Sequence, residues 1–251
     1  MRRCWLTAIS LLCLALAACT SGGPVHKGPD KDPLEKAAVL ALRQARVQEA
    51  KSDLAGALST YERLDDLGGQ WRIHYLKTTL ALAEADQTLA ASEMRVLEQL
   101  AAQLSDTEIN FRTQLLAGRV THDHADFTAA EKSASSPLEQ ALAKTYLGDT
   151  AAAIKLIDPD ADDHPADRAF VYYRRAMDAR SAELFEKSLK YYRLSQDSRG
   201  IADTLVNLAR IGAESGNKAV ARGYASRAIT VLTASGDKAR ASEIQKWMAS
   251  L

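Results

Sequence analysis

From Leu34 onward, apolar residues recur at the spacing of an α-helix, and no stretch shows the strict alternation typical of a β-strand. Proline is almost absent inside these segments. The pattern predicts an all-α fold, with helices over about 34–50, 53–67, 71–85, 88–104, 106–120, 124–134, 137–147, 149–157, 166–179, 181–195, 198–215, 217–234 and 237–250. Because most connections are short, we expect consecutive helices to run antiparallel as hairpins.

Local signals mark the ends of the predicted helices. Ser136-Pro137-Leu138-Glu139 supplies an N-cap serine, a proline at the first helical position and the glutamate of a capping box. Glycine readily adopts the left-handed conformation that follows a helix. On that basis we predict turns at Gly68-Gly69, Gly148-Asp149, Gly216-Asn217 and Gly236-Asp237.

Small residues repeat in a way that predicts close packing within each hairpin. A small residue followed by Asp or Asn occurs at Ser52-Asp53, Ala85-Asp86, Ala125-Asp126, Gly148-Asp149 and Gly216-Asn217. Four residues after the Asp or Asn of each pair lie Ala57, Ala90, Ala130, Ala153 and Ala221. Eight residues before the same Asp or Asn lie Ala45, Thr78, Gly118, Ala141 and Ala209. Two helices approach closely only where side chains are small, so these positions should face each other.

This arrangement resembles the tetratricopeptide repeat, a 34-residue helical hairpin. The clearest unit has Leu205, Leu208, Ala209 and Gly212 in its first helix and Ala221, Ala225 and Ala228 in its second. The first-helix tryptophan and most closing prolines are absent, and the intervals between units are irregular. The resemblance implies a degenerate α-solenoid whose concave face, lined by first helices, binds a segment of another protein. A plain stack of hairpins without true repeats is the alternative.

The N-terminus predicts export. Arg2 and Arg3 precede an apolar run, and Leu16-Ala17-Ala18-Cys19 resembles the cleavage box of a bacterial lipoprotein signal. The resemblance implies removal of residues 1–18 and lipid attachment at Cys19. Since Thr20 is not an inner-membrane retention aspartate, it also implies the periplasmic face of the outer membrane. An ordinary secretory peptide cut near Ala18 is the alternative.

Residues 19–33 are rich in Gly, Pro, Lys and Asp and predict a flexible leash. The remaining cysteines, Cys4 and Cys13, belong to the predicted signal. If Cys19 is acylated, no thiol is left for a disulfide, a metal ligand or a nucleophile.

Charge divides the chain at an acidic segment. Residues 19–167 carry 15 basic and 24 acidic side chains, whereas residues 168–251 carry 15 basic and 8 acidic ones. We therefore predict N-terminal helical repeats over 34–157, an acidic linker over 158–167 and basic C-terminal repeats over 168–251. The acidic segment could instead form a calcium loop, although it lacks the glycine and distal glutamate of an EF-hand. The chain has no excess of basic residues that would favour binding to nucleic acid. Export also argues against nucleic acid as a partner.

Candidate catalytic chemistry is sparse. His122 and His124, with Asp123 and Asp126, could ligate zinc, but no distant third ligand is evident, and a polar turn between helices is the favoured interpretation. Neither a glycine-rich phosphate loop nor a nucleophile elbow occurs in the sequence. We expect no catalytic residue, no metal and no cofactor, and therefore no enzyme.

The candidate binding residues are Tyr172, Arg175, Lys187 and Tyr191, on two consecutive predicted helices. Tyrosine and arginine are enriched in binding hot spots, so these four predict a surface for a protein partner. The alternative is that the tyrosines are boundary residues of the helical core.

These features together predict a lipid-anchored periplasmic adaptor for protein partners of the cell envelope, held to the membrane by its N-terminal lipid alone. The resemblance to lipoproteins with such repeats implies a role in assembling envelope, pilus or secretion machinery. A peptidoglycan-binding or other glycan-binding wall protein is the alternative from a different class, since exposed tyrosines could stack on sugars.

Overall fold

The computed structural model describes residues 31–44 and 46–251, of which Pro33–Leu251 form one compact unit. The described residues form thirteen helices and no strand, so the predicted all-α fold is confirmed. The helices are α1 (Pro33–Arg43), α2 (Val47–Arg63), α3 (Leu67–Ala83), α4 (Gln87–Leu104), α5 (Thr107–Thr121), α6 (His124–Ser133), α7 (Pro137–Tyr146), α8 (Thr150–Ala153, continued by a 3-10 turn, Ile154–Leu156), α9 (Pro165–Ala179), α10 (Ala182–Leu194), α11 (Ser198–Glu214), α12 (Lys218–Ala234) and α13 (Lys238–Ala249). The predicted signal, Cys19 and most of the leash lie outside the described residues.

The helices pack as consecutive hairpins, α1 with α2 through α11 with α12, and α13 packs on α12. First helices of neighbouring hairpins also touch: α1 contacts α3, α3 contacts α5, and α7 contacts α9. One such contact is a hydrogen bond of 3.0 Å from Trp71 Nε1 on α3 to Thr113 Oγ1 on α5. The arrangement is an α-solenoid in which the first helices lie side by side.

The predicted seam of small residues is confirmed where the structure describes it. The buried members are Ala57, Ala90, Ala130, Ala153, Ala221, Thr78, Gly118, Ala141 and Ala209, while Ala45 lies outside the described residues. Helices α11 and α12 approach so closely that a Cβ on Gly212 would lie only 3.1 Å from the backbone nitrogen of Ala221. Larger side chains at these positions would force the helices of each hairpin apart.

The break predicted between residues 50 and 53 is wrong, because α1 ends at Arg43 and α2 begins at Val47. The pairs Ser52-Asp53 and Ala125-Asp126 lie inside α2 and α6 and mark no turn. The turns use a residue with positive φ followed by a capping side chain, and the positive φ often belongs to a residue other than glycine. Examples are Asp65-Asp66, Ala85-Asp86, Ser105-Asp106, His122-Asp123 and Gln196-Asp197.

Gly68-Gly69, predicted as a turn, lies in the first turn of α3 instead. Gly69 is required there because the ring of Tyr61, from α2, lies where its Cβ would be. The same contact recurs with the same spacing in α10 and α11, where the ring of Tyr192 covers Gly200. In both cases the glycine N–H donates to the N-cap aspartate, Asp66 or Asp197. This recurrence is an internal repeat in both sequence and structure.

The apolar core continues across the change of charge at 158–167. One cluster joins Phe111, Leu142, Tyr172 and Tyr191, which lie on both sides of that segment. Within the described residues, no helix has both the length and the apolar character needed to span a bilayer.

Candidate functional site

The structure places Tyr172 and Tyr191 in the core, with exposed fractions of 4% and 1%. Their rings stack in parallel, 5.6 Å apart between centroids. The prediction that these two rings face a partner is therefore wrong, and they are the core residues that the alternative described.

The acidic segment packs against Tyr191. The Tyr191 hydroxyl donates to the backbone carbonyls of Pro159 (3.1 Å) and Ala161 (3.0 Å). Arg168, itself buried, donates from Nε to the carbonyl of Asp163 and from Nη1 to that of Asp158, each at 2.8 Å. The segment is thus fastened to α9 and α10, and α9 already begins at Pro165, inside the predicted linker.

The other two predicted residues stay at the surface, unlike the two tyrosines. Arg175 is half-buried, and Lys187 is exposed and pairs with Glu183 at 2.9 Å, one turn earlier on α10. No group of three or more metal-ligating side chains occurs in the part of the chain that the structure describes.

The histidine cluster forms a turn. Asp123 caps α6 by accepting from the backbone of Ala125 at 2.8 Å, and Asp126 accepts from Thr121 at 2.8 Å. His122 adopts the left-handed conformation that ends α5. The polar-turn interpretation accounts for each of these residues.

A different set of Tyr and Arg side chains lies along the first helices. We call the surface formed by Tyr75, Arg119, Tyr146, Arg174 and Arg210, on α3, α5, α7, α9 and α11, the first-helix surface. All five are exposed or half-buried, and each belongs to a different hairpin.

Stacked aromatic rings hold the middle of this surface. The ring of Tyr146 stacks on Phe127 at 5.1 Å and on Phe170, from α9, at 4.9 Å. Arg174 lies one turn after Phe170 on the same face of α9. The position of α7 against α9, and hence of Tyr146 beside Arg174, is therefore fixed by packing.

An ion pair joins α5 to α9 at one end of the surface. Arg112 Nη2 lies 2.7 Å from Asp167 Oδ2, and both side chains are largely buried. Burial would lower the pKa of Arg112, but the charge and hydrogen bond of Asp167 outweigh it and raise the pKa. Arg112 is fully charged at any physiological pH.

Arg119 and Arg174 form no ion pair with any residue in 31–44 or 46–251. Burial raises the pKa of the Tyr146 hydroxyl, and the positive charges of Arg119 and Arg174 both act against that rise. Arg119 acts in the same way on Tyr75, whose pKa is also raised by burial. Both guanidinium groups therefore act on the hydroxyl of Tyr146, and that of Arg119 also acts on the hydroxyl of Tyr75.

The surface continues onto α11. Asn207 Nδ2 donates to the hydroxyl of Tyr173 at 3.0 Å, and the exposed Arg210 lies beside them on α11. The nearby acidic side chain on α11, Asp203, forms an ion pair with Arg240 of α13. Met177 of α9, 46% exposed, adds an apolar contact next to Arg174.

A cleft of about 410 Å³ opens at the N-terminal ends of α5, α7 and α9. Several of its charged groups are already engaged: Arg168 with Asp163, Arg112 with Asp167, and Glu139 in the capping box of α7.

Sequence reasoning missed the first-helix surface because its members are single residues on five separate helices. A signal was present in the seven-residue spacing of Arg112 and Arg119 on α5, matched by Asp167 and Arg174 on α9. Reading it would have required knowing that α5 and α9 lie close enough for their side chains to pair.

Compared with known proteins, the chain matches no family model, and no curated protein matches it either. The fold alone therefore defines its class, which is a helical-repeat-like stack of antiparallel hairpins.

Proposed function

We propose that this protein is a lipid-anchored adaptor of the bacterial cell envelope, which binds a protein partner along the first-helix surface. The hairpin packing and the buried seam of small residues support a tetratricopeptide-like scaffold. The observation that carries the proposal is that Arg119, Arg174 and Arg210 share one surface with tyrosine rings and have no ion-pair partner among the described residues. Arginine and tyrosine contribute more binding energy per residue than most side chains.

The second part of the proposal is that a lipid attached to Cys19 anchors the protein to the membrane. Cys19 lies outside the described residues, so the support is the signal-like sequence before it. Several acyl chains hold a protein to a membrane stably, whereas one gives only reversible binding. A tethered adaptor meets partners of the same membrane at a raised effective concentration.

Site-specific photo-crosslinking in cells tests the binding surface. A crosslinking residue at Met177 or Arg210, both on or beside the first-helix surface, should capture a protein of defined mass. The same residue at Glu98, exposed on the second helix α4, should capture none. Capture from Glu98 with none from the other two positions would contradict the proposal.

The glycan-binding alternative has lost its main support, since Tyr172 and Tyr191 are buried and Asp163 and Asp167 are paired with arginines. Sedimentation with purified peptidoglycan sacculi discriminates the two functions. The adaptor proposal predicts that the protein stays in the supernatant, and strong co-sedimentation would favour the glycan binder.

A further inference from the structure

The ion pair between α5 and α9 is not repeated two helical turns further along these helices. Arg112 and Asp167 form an ion pair, and seven residues further along the two helices lie Arg119 and Arg174. Seven residues are two helical turns, about 10 Å along the axis, so the second pair lies on the same faces as the first. Since α5 and α9 are both first helices of antiparallel hairpins, they run in the same direction. Arginine therefore stands where a repeat of the ion pair would require a carboxylate.

Tyr146 of α7 stacks on Phe170 at 4.9 Å, one turn before Arg174 on α9, and the charges of both Arg119 and Arg174 act on its hydroxyl. The charge of Arg119 also acts on Tyr75. Within residues 31–44 and 46–251, neither arginine has a carboxylate partner and neither tyrosine hydroxyl has a hydrogen-bond partner. The nearby Asp167 is already held by Arg112. The two arginines and two tyrosine hydroxyls thus supply hydrogen-bond donors, and the nearby carboxylate, Asp167, is already engaged.

We propose that Arg119 and Arg174, together with the hydroxyls of Tyr75 and Tyr146, bind a carboxylate side chain from an acidic segment of the partner. This inference rests on the proposed function, because the segment belongs to the protein that the adaptor binds. Guanidinium groups bind carboxylates through paired, charge-assisted hydrogen bonds. An anion placed between two arginines also removes their mutual repulsion.

The spacing of the arginines indicates the spacing of acidic residues in the segment. Arg210 of α11 continues the row one hairpin beyond Arg174. Packed helices lie about 10 Å apart, which is about three residues of an extended chain. For an extended segment, a carboxylate for Arg210 would therefore lie about three residues from the one bound by Arg119 and Arg174.

A designed peptide tests this directly. The probe is a fluorescent acetyl-(Glu-Gly-Gly)₄ amide, with the neutral (Gln-Gly-Gly)₄ peptide as its counterpart, titrated with the purified full chain. We expect the glutamate peptide to bind, its affinity to fall as salt is added, and the glutamine peptide not to bind. Arg119→Gln and Arg174→Gln should each weaken binding about tenfold, as expected for a lost charged hydrogen bond.

Arg95→Gln is the matched control, because Arg95 is exposed on the second helix α4 and forms no ion pair with a described residue. It should leave the affinity unchanged, and thermal unfolding of all three variants checks that they fold. An equal loss in Arg95→Gln, or equal binding of the two peptides, would overturn the inference.

The outcome separates this inference from the proposed function. If the glutamate peptide fails to bind while Met177 still crosslinks to a protein in cells, the acidic-segment inference falls and the adaptor function stands. If sacculi bind in a manner that depends on Arg174 and the glutamate peptide does not, the arginines recognise an anionic glycan and the inference is again wrong.

Discussion

Glu93 is a buried carboxylate of α4 held between two basic side chains of α3. Its two oxygens lie 2.5 Å from His74 Nδ1 and 2.5 Å from Lys77 Nζ. Burial alone would raise the pKa of Glu93, but the hydrogen bonds from His74 and Lys77 outweigh it, so the pKa is lowered below its ordinary value of 4.5. The ionised form of Glu93 therefore stabilises the fold.

The lowered pKa of Glu93 predicts a pH dependence. A carboxyl whose folded pKa is depressed contributes stability above its ordinary pKa and loses it as the pH falls through the folded value. We expect Glu93→Gln to be less stable than the natural protein at pH 7, and the difference to shrink between pH 5 and pH 3. Urea unfolding at several pH values measures it, and a difference that stays constant with pH would contradict this role.

Tyr191→Phe tests how the acidic segment is held. The substitution removes the hydroxyl that donates to Pro159 and Ala161, and leaves two carbonyls short of a donor. We expect a loss of about 1–2 kcal/mol in the free energy of unfolding. Tyr224→Phe is the control, because its hydroxyl bonds to Glu186 at an exposed position, and it should cost less than about 0.5 kcal/mol. Equal losses would show that the segment is not fastened by Tyr191.

The residue types in the sequence indicate that Tyr and Arg could bind a partner, but they do not show which of these residues lie at the surface. Tyr191 is of a residue type typical of binding surfaces, yet its hydroxyl bonds to a segment about 30 residues earlier, and Tyr172 stacks on its ring. No local pattern in α9 or α10 encodes that contact. Helical periodicity distinguishes faces of a helix, but not which face a distant loop covers.

At the scale of elements, packing against the preceding hairpin determines where the first turn of a helix requires glycine. Gly200 lies in the first turn of α11 beneath the ring of Tyr192, whereas Gly223 lies on α12 with open space around it. Alanine favours a helix over glycine by about 1 kcal/mol. Alanine substitutions at these two positions therefore distinguish the effect of packing on stability from the effect of helix propensity.

We predict opposite effects of the two substitutions. Gly200→Ala should destabilise the fold by about 1–3 kcal/mol, because its Cβ displaces the ring of Tyr192. Gly223→Ala should stabilise it by up to about 1 kcal/mol. Thermal or urea unfolding measures both, and a stabilising Gly200→Ala would show that Tyr192 does not pack against α11 as described.

The helices themselves were largely predictable, because apolar periodicity and the seam of small residues arise within each hairpin. The positions of the turns were less predictable. Glycine predicted Gly148-Asp149 correctly, but Asp65, Ala85 and Gln196 adopt positive φ without being glycine. Those conformations are imposed by the helices on both sides, which the turn sequence does not reveal.

At the scale of the whole molecule, we predict that the protein is retained at a membrane by its N-terminal lipid. Cys19→Ala removes the sulfur to which the lipid would attach, so the variant should move from the membrane fraction to the soluble periplasmic fraction. Its circular dichroism should still show a helical protein, because Cys19 precedes the compact unit Pro33–Leu251. Membrane retention of Cys19→Ala would show that the anchoring proposal is wrong.

The helical fold could be deduced from the sequence, whereas the first-helix surface could not. Repetition of a local unit determines the fold, and each unit carries its own signals, such as Ala57 or Ala221. The surface, in contrast, is assembled from Tyr75, Tyr146 and Arg174 only after the first helices pack together. Its charge balance also depends on which acidic residues are already engaged in pairs.

Thiol labelling in living cells measures the central claim most directly, since Cys4, Cys13 and Cys19 are the only cysteines of the sequence and all precede residue 31. Met177→Cys places a thiol beside the first-helix surface, and Val96→Cys places one at an exposed position on the second helix α4. The account predicts that a maleimide labels Met177→Cys several times more slowly in cells than in the purified protein, while Val96→Cys labels equally in both. Equal labelling of Met177→Cys in cells and in purified form would contradict a partner bound to this surface.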